Sequence, residues 1–247
     1  MSQKYKGEET EYRVPEGTES IDELAFAGSD RLEKLYIPDS VTAIGNYAFM
    51  NCYSLREIRM PESVQRFGAG LFQNCWQLRS ITLPGGVKML GTDMFENCHG
   101  LTELSIPASV KKVARTSLSG CRSLVKIHIS PKQIELLPAS ARYTAVLTYM
   151  EEHAGDPLKG AGEAEGEDAE VIGNYIRERQ KSFLDLAINR RSAGAVRYMT
   201  ENKLLSDDAL KEYLSRSAAA GRTEITALLL ESVKDIREPA LSEDPFA

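Results

Sequence analysis

Hydrophobic residues recur along the first half of the chain at a spacing of 23 residues. Prolines mark this period at Pro15, Pro38, Pro61, Pro84 and Pro107. The aliphatic columns in step with them are Leu32, Leu55, Leu78, Leu101 and Leu124; Leu35, Ile58, Ile81, Leu104 and Ile127; and Ile37, Met60, Leu83, Ile106 and Ile129. A phenylalanine column follows with Phe26, Phe49, Phe72 and Phe95, and it ends in Leu118. Parallel columns of one residue type predict a solenoid of stacked turns that share one core.

Each repeat contains a stretch of the form L-x-x-L-x-I, whose alternation of hydrophobic and polar residues predicts a short strand with one buried face. The proline that follows cannot donate a backbone hydrogen bond, so it ends the strand and begins a turn. Gly45, Gly68 and Gly91 share another column, where we expect a turn that needs a positive φ.

The repeat, written I-P-x-S-V-x-x-I-G-x-x-A-F-x-x-C-x-x-L, resembles the BspA-like class of bacterial leucine-rich repeats over residues 12–137. This resemblance implies an α/β solenoid, a right-handed superhelix with a parallel sheet on its concave side. Family members are often surface adhesins or host-interaction proteins, usually with a secretion signal. The last repeat departs from the pattern at Ala114, Leu118 and Ser130, as terminal repeats that cap a stack often do.

All four cysteines, Cys52, Cys75, Cys98 and Cys121, occupy one column of the repeat. A four-cysteine zinc site normally contains close C-x-x-C pairs, which this spacing lacks. A single column would also place the sulfur atoms in a row, whereas zinc requires a tetrahedron. We therefore expect a ladder of buried, reduced thiols, in preference to disulfides or a metal site.

The periodicity changes after Pro138. Residues 139–153 have hydrophobic side chains at helical spacing, which predicts a helix that could cap the open end of the solenoid. Residues 154–170 are rich in glycine, alanine and acidic residues, which is typical of a flexible linker.

Residues 171–236 predict a series of amphipathic helices. The stretch 218–231 resembles the helix–turn–helix of an ankyrin repeat, and residues 187–201 resemble a weaker copy about 30 residues earlier. Ordinary helical hairpins are the alternative, because the T-P-L-H motif of ankyrin repeats occurs in neither stretch. The helices would need a partner surface in either case.

Composition and motifs exclude several classes of function. The net charge of −6 disfavours nucleic-acid binding, which depends on neutralising phosphates. No apolar run is long enough for a membrane-spanning helix, and the basic start lacks the apolar segment of a signal peptide. The three histidines, His99, His128 and His153, lie in no metal-binding spacing, and no nucleophile elbow, P-loop or dinucleotide fingerprint occurs. We therefore expect neither an enzyme, nor a cofactor, nor a bound metal.

The candidate binding residues are those that alternation directs out of the strands, onto the concave face. One row contains Lys34, Glu57, Ser80, Glu103 and Lys126, and its neighbour contains Tyr36, Arg59, Thr82, Ser105 and His128. Tyr36 and Arg59 are the best anchors, since tyrosine and arginine dominate binding hot spots. Trp76, which follows a cysteine in a column with Tyr53, His99 and Arg122, marks a second patch. The alternative is that these rows are only soluble surface and that Trp76 packs over a neighbouring repeat.

The sequence thus predicts a bacterial protein–protein interaction module or scaffold that acts through the concave face and possibly the helical tail. A cytoplasmic location follows from the missing signal peptide and the single buried cysteine column. A surface adhesin or carbohydrate-contacting protein, exported by another route, is the alternative.

Overall fold

The computed structural model describes residues 5, 7, 9–154 and 163–237 of the 247-residue chain. The chain divides into two compact units between Thr148 and Tyr149. The first unit contains short parallel strands, and the second consists of helices. This is the predicted solenoid followed by a helical region.

The solenoid contains two kinds of strand. The longer strands are β1 (Glu11–Arg13), β3 (Lys34–Tyr36), β5 (Glu57–Arg59), β7 (Ser80–Thr82), β9 (Glu103–Ser105) and β11 (Lys126–His128). The shorter strands are β2 (Ser20–Ile21), β4 (Ala43–Ile44), β6 (Arg66–Phe67), β8 (Met89–Leu90) and β10 (Lys112–Val113). Pairing is parallel, and each residue faces the residue one repeat later, as Tyr36 faces Arg59. The middle residue of each longer strand points inward, which confirms the alternation predicted from the sequence.

The predicted columns form one hydrophobic core. Leu32, Leu55, Leu78 and Leu101 are fully buried, and the phenylalanine rings stack along the solenoid. The centroids of Phe49 and Phe72 lie 5.3 Å apart, and those of Phe72 and Phe95 lie 5.4 Å apart. Because the same residue type occupies the same position in successive repeats, neighbouring turns pack with the same side-chain geometry.

The structure gives a different reason for the glycines at positions 45, 68 and 91 from the positive φ that we predicted. Gly45 and Gly68 do not have a positive φ, and neither does Gly91. A Cβ atom on Gly45 would lie 2.5 Å from the backbone nitrogen of Glu23, and one on Gly68 would lie 2.3 Å from that of Asn46. The first two glycines are therefore required by the close approach of the preceding turn, and the prediction of a left-handed turn at this column was wrong.

Positive φ occurs in two other columns. One contains Leu24, Tyr47, Gly70 and Asp93, at 54° to 59°, and the other contains Gly28, Asn51, Asn74, Asn97 and Gly120, at 57° to 76°. Asparagine tolerates this conformation better than most residues. The amide of Asn74 donates to the side-chain oxygen of Asn51 at 2.7 Å, and Asn97 donates to Asn74 at 3.1 Å. The asparagines thus form a hydrogen-bonded ladder, and glycine ends it on both sides.

The open end of the solenoid is closed by a 3-10 helix (Pro131–Leu136) and by α1 (Ala139–Glu152). The Gln133 amide donates to the backbone carbonyls of Pro107, Ala108 and Val110 in the last proline turn. The hydroxyl of Thr148, in α1, accepts the backbone N–H of Ile127 at 3.0 Å. These contacts provide hydrogen-bond partners for backbone groups that would pair with a further repeat if the solenoid continued.

The second unit contains five further helices: α2 (Glu163–Glu178), α3 (Gln180–Arg190), α4 (Ala193–Glu201), α5 (Asp207–Ala219) and α6 (Thr223–Arg237). α3 packs on α4 and α5, while α6 packs on α4 and α5, so the helices form two stacked hairpins. α4 and α6 begin 30 residues apart, the offset seen in the sequence. Residues 163–170, predicted as part of a linker, instead form the first turns of α2; the rest of that linker, from residue 155, lies outside the described residues.

Candidate binding site on the solenoid

Both predicted rows lie on the outward side of the longer strands, which we call the strand face. The first row is Lys34, Glu57, Ser80, Glu103 and Lys126, and the second is Tyr36, Arg59, Thr82, Ser105 and His128; every member is exposed or partly exposed. Parallel pairing aligns members of a row on neighbouring strands, as it aligns Lys34 with Glu57 and Thr82 with Ser105. The strand face is therefore a polar surface built from equivalent positions of successive repeats, carried by two three-stranded sheets, β1–β3–β5 and β7–β9–β11.

Several members of the rows interact across neighbouring turns. Lys34 and Glu57 form an exposed ion pair at 3.9 Å. The Nε2 atom of His128 lies 2.9 Å from a carboxylate oxygen of Glu103. The face thus carries polar side chains that pair across turns, and an exposed ion pair such as Lys34–Glu57 contributes little to stability.

Arg13 is a member of the second row that the sequence analysis missed. It faces Tyr36 in the register of β1 and β3, and its guanidinium lies 4.0 Å from the centre of the Tyr36 ring, as a cation–π contact. The 23-residue spacing, counted backward from Tyr36, would have found it.

A cleft of about 220 Å³ lies where β1, β3 and β5 end and the proline turns begin. Its lining residues are Arg13, Val14, Glu16, Tyr36, Ile37, Pro38, Asp39 and Arg59. The two predicted anchors, Tyr36 and Arg59, therefore share one concave feature with a second arginine and two carboxylates. The other predicted residues of the rows lie outside this cleft.

The second predicted patch is a stack of rings. The centroids of Tyr53 and Trp76 lie 4.4 Å apart, and those of Trp76 and His99 lie 6.4 Å apart. The Nδ1 atom of His99 lies 3.0 Å from the carbonyl oxygen of Gly120, and Trp76 remains 47% exposed. The Tyr53 and Trp76 rings are tilted by 41° to each other, so they contact without full face-to-face stacking.

The cysteine column contains free thiols. Each thiol donates to the carbonyl oxygen of a phenylalanine in the preceding repeat, as Cys75 does to Phe49 at 3.2 Å. Burial raises the pKa of Cys52 and that of Cys121 to about 12, and it raises the pKa of Cys75 well above its ordinary value of 9.0. These thiols therefore stay protonated, which makes them packing groups and not nucleophiles.

The helical unit contains a separate hollow of about 270 Å³, lined by Ala169, Glu170, Gly173, Arg177, Tyr198, Asn202 and Leu204. Burial raises the pKa of Tyr198 to about 12.

Across the part of the chain that the structure describes, no group of three or more histidine, cysteine, aspartate or glutamate residues is arranged to hold a metal ion. No helix among the described residues is both long enough and apolar enough to cross a membrane.

Comparison with protein families matches residues 4–138 to the BspA type leucine-rich repeat region, in six copies. Comparison with curated proteins gives no match. Among solved structures, a leucine-rich cell surface protein of Faecalibacterium prausnitzii A2-165 is 31% identical, with a TM-score of 0.51 over 53% of this chain and 35% of that chain. This chain therefore spans about a third of that protein's length.

Two further solved structures are similar to the same part of the chain. The T. pallidum leucine-rich repeat protein is 27% identical, with a TM-score of 0.44 over 51% of this chain and 72% of that chain. A leucine-rich repeat protein of Eubacterium ventriosum is 24% identical, with a TM-score of 0.47 over 49% of this chain and 33% of that chain.

Proposed function

The chain belongs to the BspA type of leucine-rich repeat proteins, and from that premise we propose that it is a non-enzymatic module that binds another protein through the strand face. The family assignment confirms the resemblance and the solenoid predicted from the sequence. The partner-binding role of Tyr36, Arg59 and the other members of the two rows remains a prediction.

The observation that carries this proposal is the cleft at one end of the strand face. It brings Tyr36 and Arg59 together, and these residue types supply much of the binding energy in protein interfaces. Solenoids commonly bind through extended faces of this kind.

A pull-down from native cells with the double variant Tyr36→Ala/Arg59→Ala tests the proposal. We expect the variant to lose the partner that the unchanged protein captures. Arg66→Ala is the matched control, because Arg66 is an exposed arginine on the shorter strand β6. Retention of every partner by the double variant would rule out the strand face as the binding surface.

We also propose that the module acts at the bacterial surface, the alternative to our cytoplasmic prediction. The similar F. prausnitzii protein is described as a cell surface protein. Fractionation of native cells, followed by immunodetection of this chain, tests the location. Recovery only with the soluble contents of the cell would overturn the surface assignment.

The carbohydrate-contacting alternative finds no such support in the Trp76 column. Sugars stack on open aromatic faces, and Tyr53 packs against the Trp76 ring with centroids 4.4 Å apart. Protein binding is therefore the function that we put forward.

A further inference from the structure

In the second row of the strand face and in the column beside it, charge is concentrated in the first turns, although the repeat itself continues. The second row begins with Arg13, Tyr36 and Arg59, whereas the next two turns carry the neutral residues Thr82 and Ser105. A neighbouring column, three residues after the second row, carries Glu16, Asp39 and Glu62 and then the neutral residues Gly85 and Ala108. A basic and an acidic column thus lie side by side only in the first turns.

The charges around the cleft are not used to hold the solenoid together. Within the described residues, the guanidinium of Arg59 and the carboxylates of Glu16 and Asp39 have no ion-pair or hydrogen-bond partner. Arg13 reaches only Glu11, at 3.5 Å, and the ring of Tyr36. In contrast, Glu62, one turn further along the acidic column, accepts the backbone N–H of Gly85 at 2.8 Å.

The arginines and the acids of the cleft also do not pair with each other, although they line the same cavity. Oppositely charged groups separated by a cleft leave room for a ligand that contacts both. A ligand with a single negative charge would be attracted by Arg13 and Arg59 but repelled by Glu16 and Asp39. A ligand with two opposite charges avoids this repulsion, provided that its charges match the two columns.

We propose that this cleft binds a protein segment in which a carboxylate side chain lies close to a lysine or arginine side chain. Arg59 and Arg13 contact the carboxylate, and Asp39 and Glu16 contact the cation. Tyr36 also lines the cleft, and its ring contacts the Arg13 guanidinium at 4.0 Å. This assignment rests on the proposed function and adds the chemical class of the partner's recognition segment.

The test is a titration of the full chain, followed by NMR or calorimetry, with three short blocked peptides that differ only in charge. One contains aspartate beside lysine, one contains aspartate beside alanine, and one contains alanine beside lysine. We expect the doubly charged peptide to bind most tightly. Arg59→Gln and Asp39→Asn should each weaken its binding roughly fivefold, the upper range for one partly exposed charge pair.

The matched controls are Arg66→Gln and Asp22→Asn, exposed residues beside or within the shorter strands, which should leave peptide binding unchanged. Equal binding of the doubly charged and the purely acidic peptide, with no effect of Asp39→Asn, would show a simple anion site and overturn the proposal. Absence of binding by all three peptides would overturn it as well. If the partner is then still lost from Tyr36→Ala/Arg59→Ala, the proposed function stands and only the two-charge recognition fails.

Discussion

The solenoid and the helical region are stabilised in different ways. In the solenoid, three kinds of contact recur from turn to turn: thiol to phenylalanine carbonyl, asparagine to asparagine, and ring to ring. The helical region also depends on side-chain contacts that occur only once among the described residues. The Tyr213 hydroxyl donates to the carbonyl of Lys181 at 3.0 Å, and the Arg222 side chain donates to that of Ile188 at 3.2 Å. A change in conditions that weakens a repeated contact therefore acts at several turns together, whereas one that weakens a single contact acts at one place.

The largest expected difference between the two regions is their response to alkaline pH. The pKa of Cys52 is raised from 9.0 to about 12 by burial, and burial raises the pKa of the other three thiols too. Above pH 9.0 the unfolded thiols lose protons that the folded ones keep, so the free energy of unfolding falls as pH rises. Each thiol contributes a loss of about 1.4 kcal/mol per pH unit, and four thiols act together.

The helical region should lose stability only at higher pH. It contains no cysteine, and burial raises the pKa of two of its tyrosines, Tyr198 and Tyr213, whose ordinary pKa is 10.0; that of Tyr198 reaches about 12. Trp76 fluorescence follows the solenoid, because Trp76 is the single tryptophan, and far-ultraviolet circular dichroism follows the helices. Equal stability of the solenoid at pH 9.0 and 10.0 would contradict the assignment of buried, protonated thiols.

Removal of one ring from the phenylalanine column should have the next largest effect. Phe72 is fully buried between Phe49 and Phe95. We expect Phe72→Ala to lower the free energy of unfolding by about 4 kcal/mol, because it creates a cavity and removes two ring contacts. Urea denaturation followed by Trp76 fluorescence measures this loss; a loss below about 1 kcal/mol would mean that the column is not tightly packed.

The asparagine ladder offers a smaller and more specific test. Asn74→Ala places a Cβ-bearing residue without a polar side chain at a φ of 62° and breaks the ladder on both sides. We expect a loss of about 2 kcal/mol. Asn74→Gly removes the same hydrogen bonds but relieves the backbone strain, so it should cost about half as much; an equal cost would assign the whole effect to the ladder.

The smallest expected effect lies in the helical region. The Ser206 hydroxyl accepts the backbone N–H of Ala209 at 3.3 Å and so caps the start of α5. Ser206→Ala should destabilise the helices by about 1 kcal/mol, measured by circular dichroism during urea denaturation. The Trp76 signal serves as the internal control, since Ser206→Ala leaves every repeated column of the solenoid unchanged.

Much of the solenoid could be predicted from the sequence, because a repeated contact leaves a repeated residue. The inward column of Leu104 and the outward positions of Tyr36 and Arg59 follow from alternation alone. The role of Gly45 was mistaken, since its reason is the backbone of another turn, a contact that local sequence does not encode. The early start of α2 was missed because its first residues, rich in acid, alanine and glycine, resemble a linker.

The sequence by itself determined the period, the family, the buried columns and the rows that face solvent, because each depends on spacing along the chain. Tertiary structure decided which charges meet. Only the stacked turns place Arg13 on Tyr36 and gather Arg59, Glu16 and Asp39 around one cleft. Electrostatic pairing depends on distances between side chains of different turns, and those distances are set when the turns pack together.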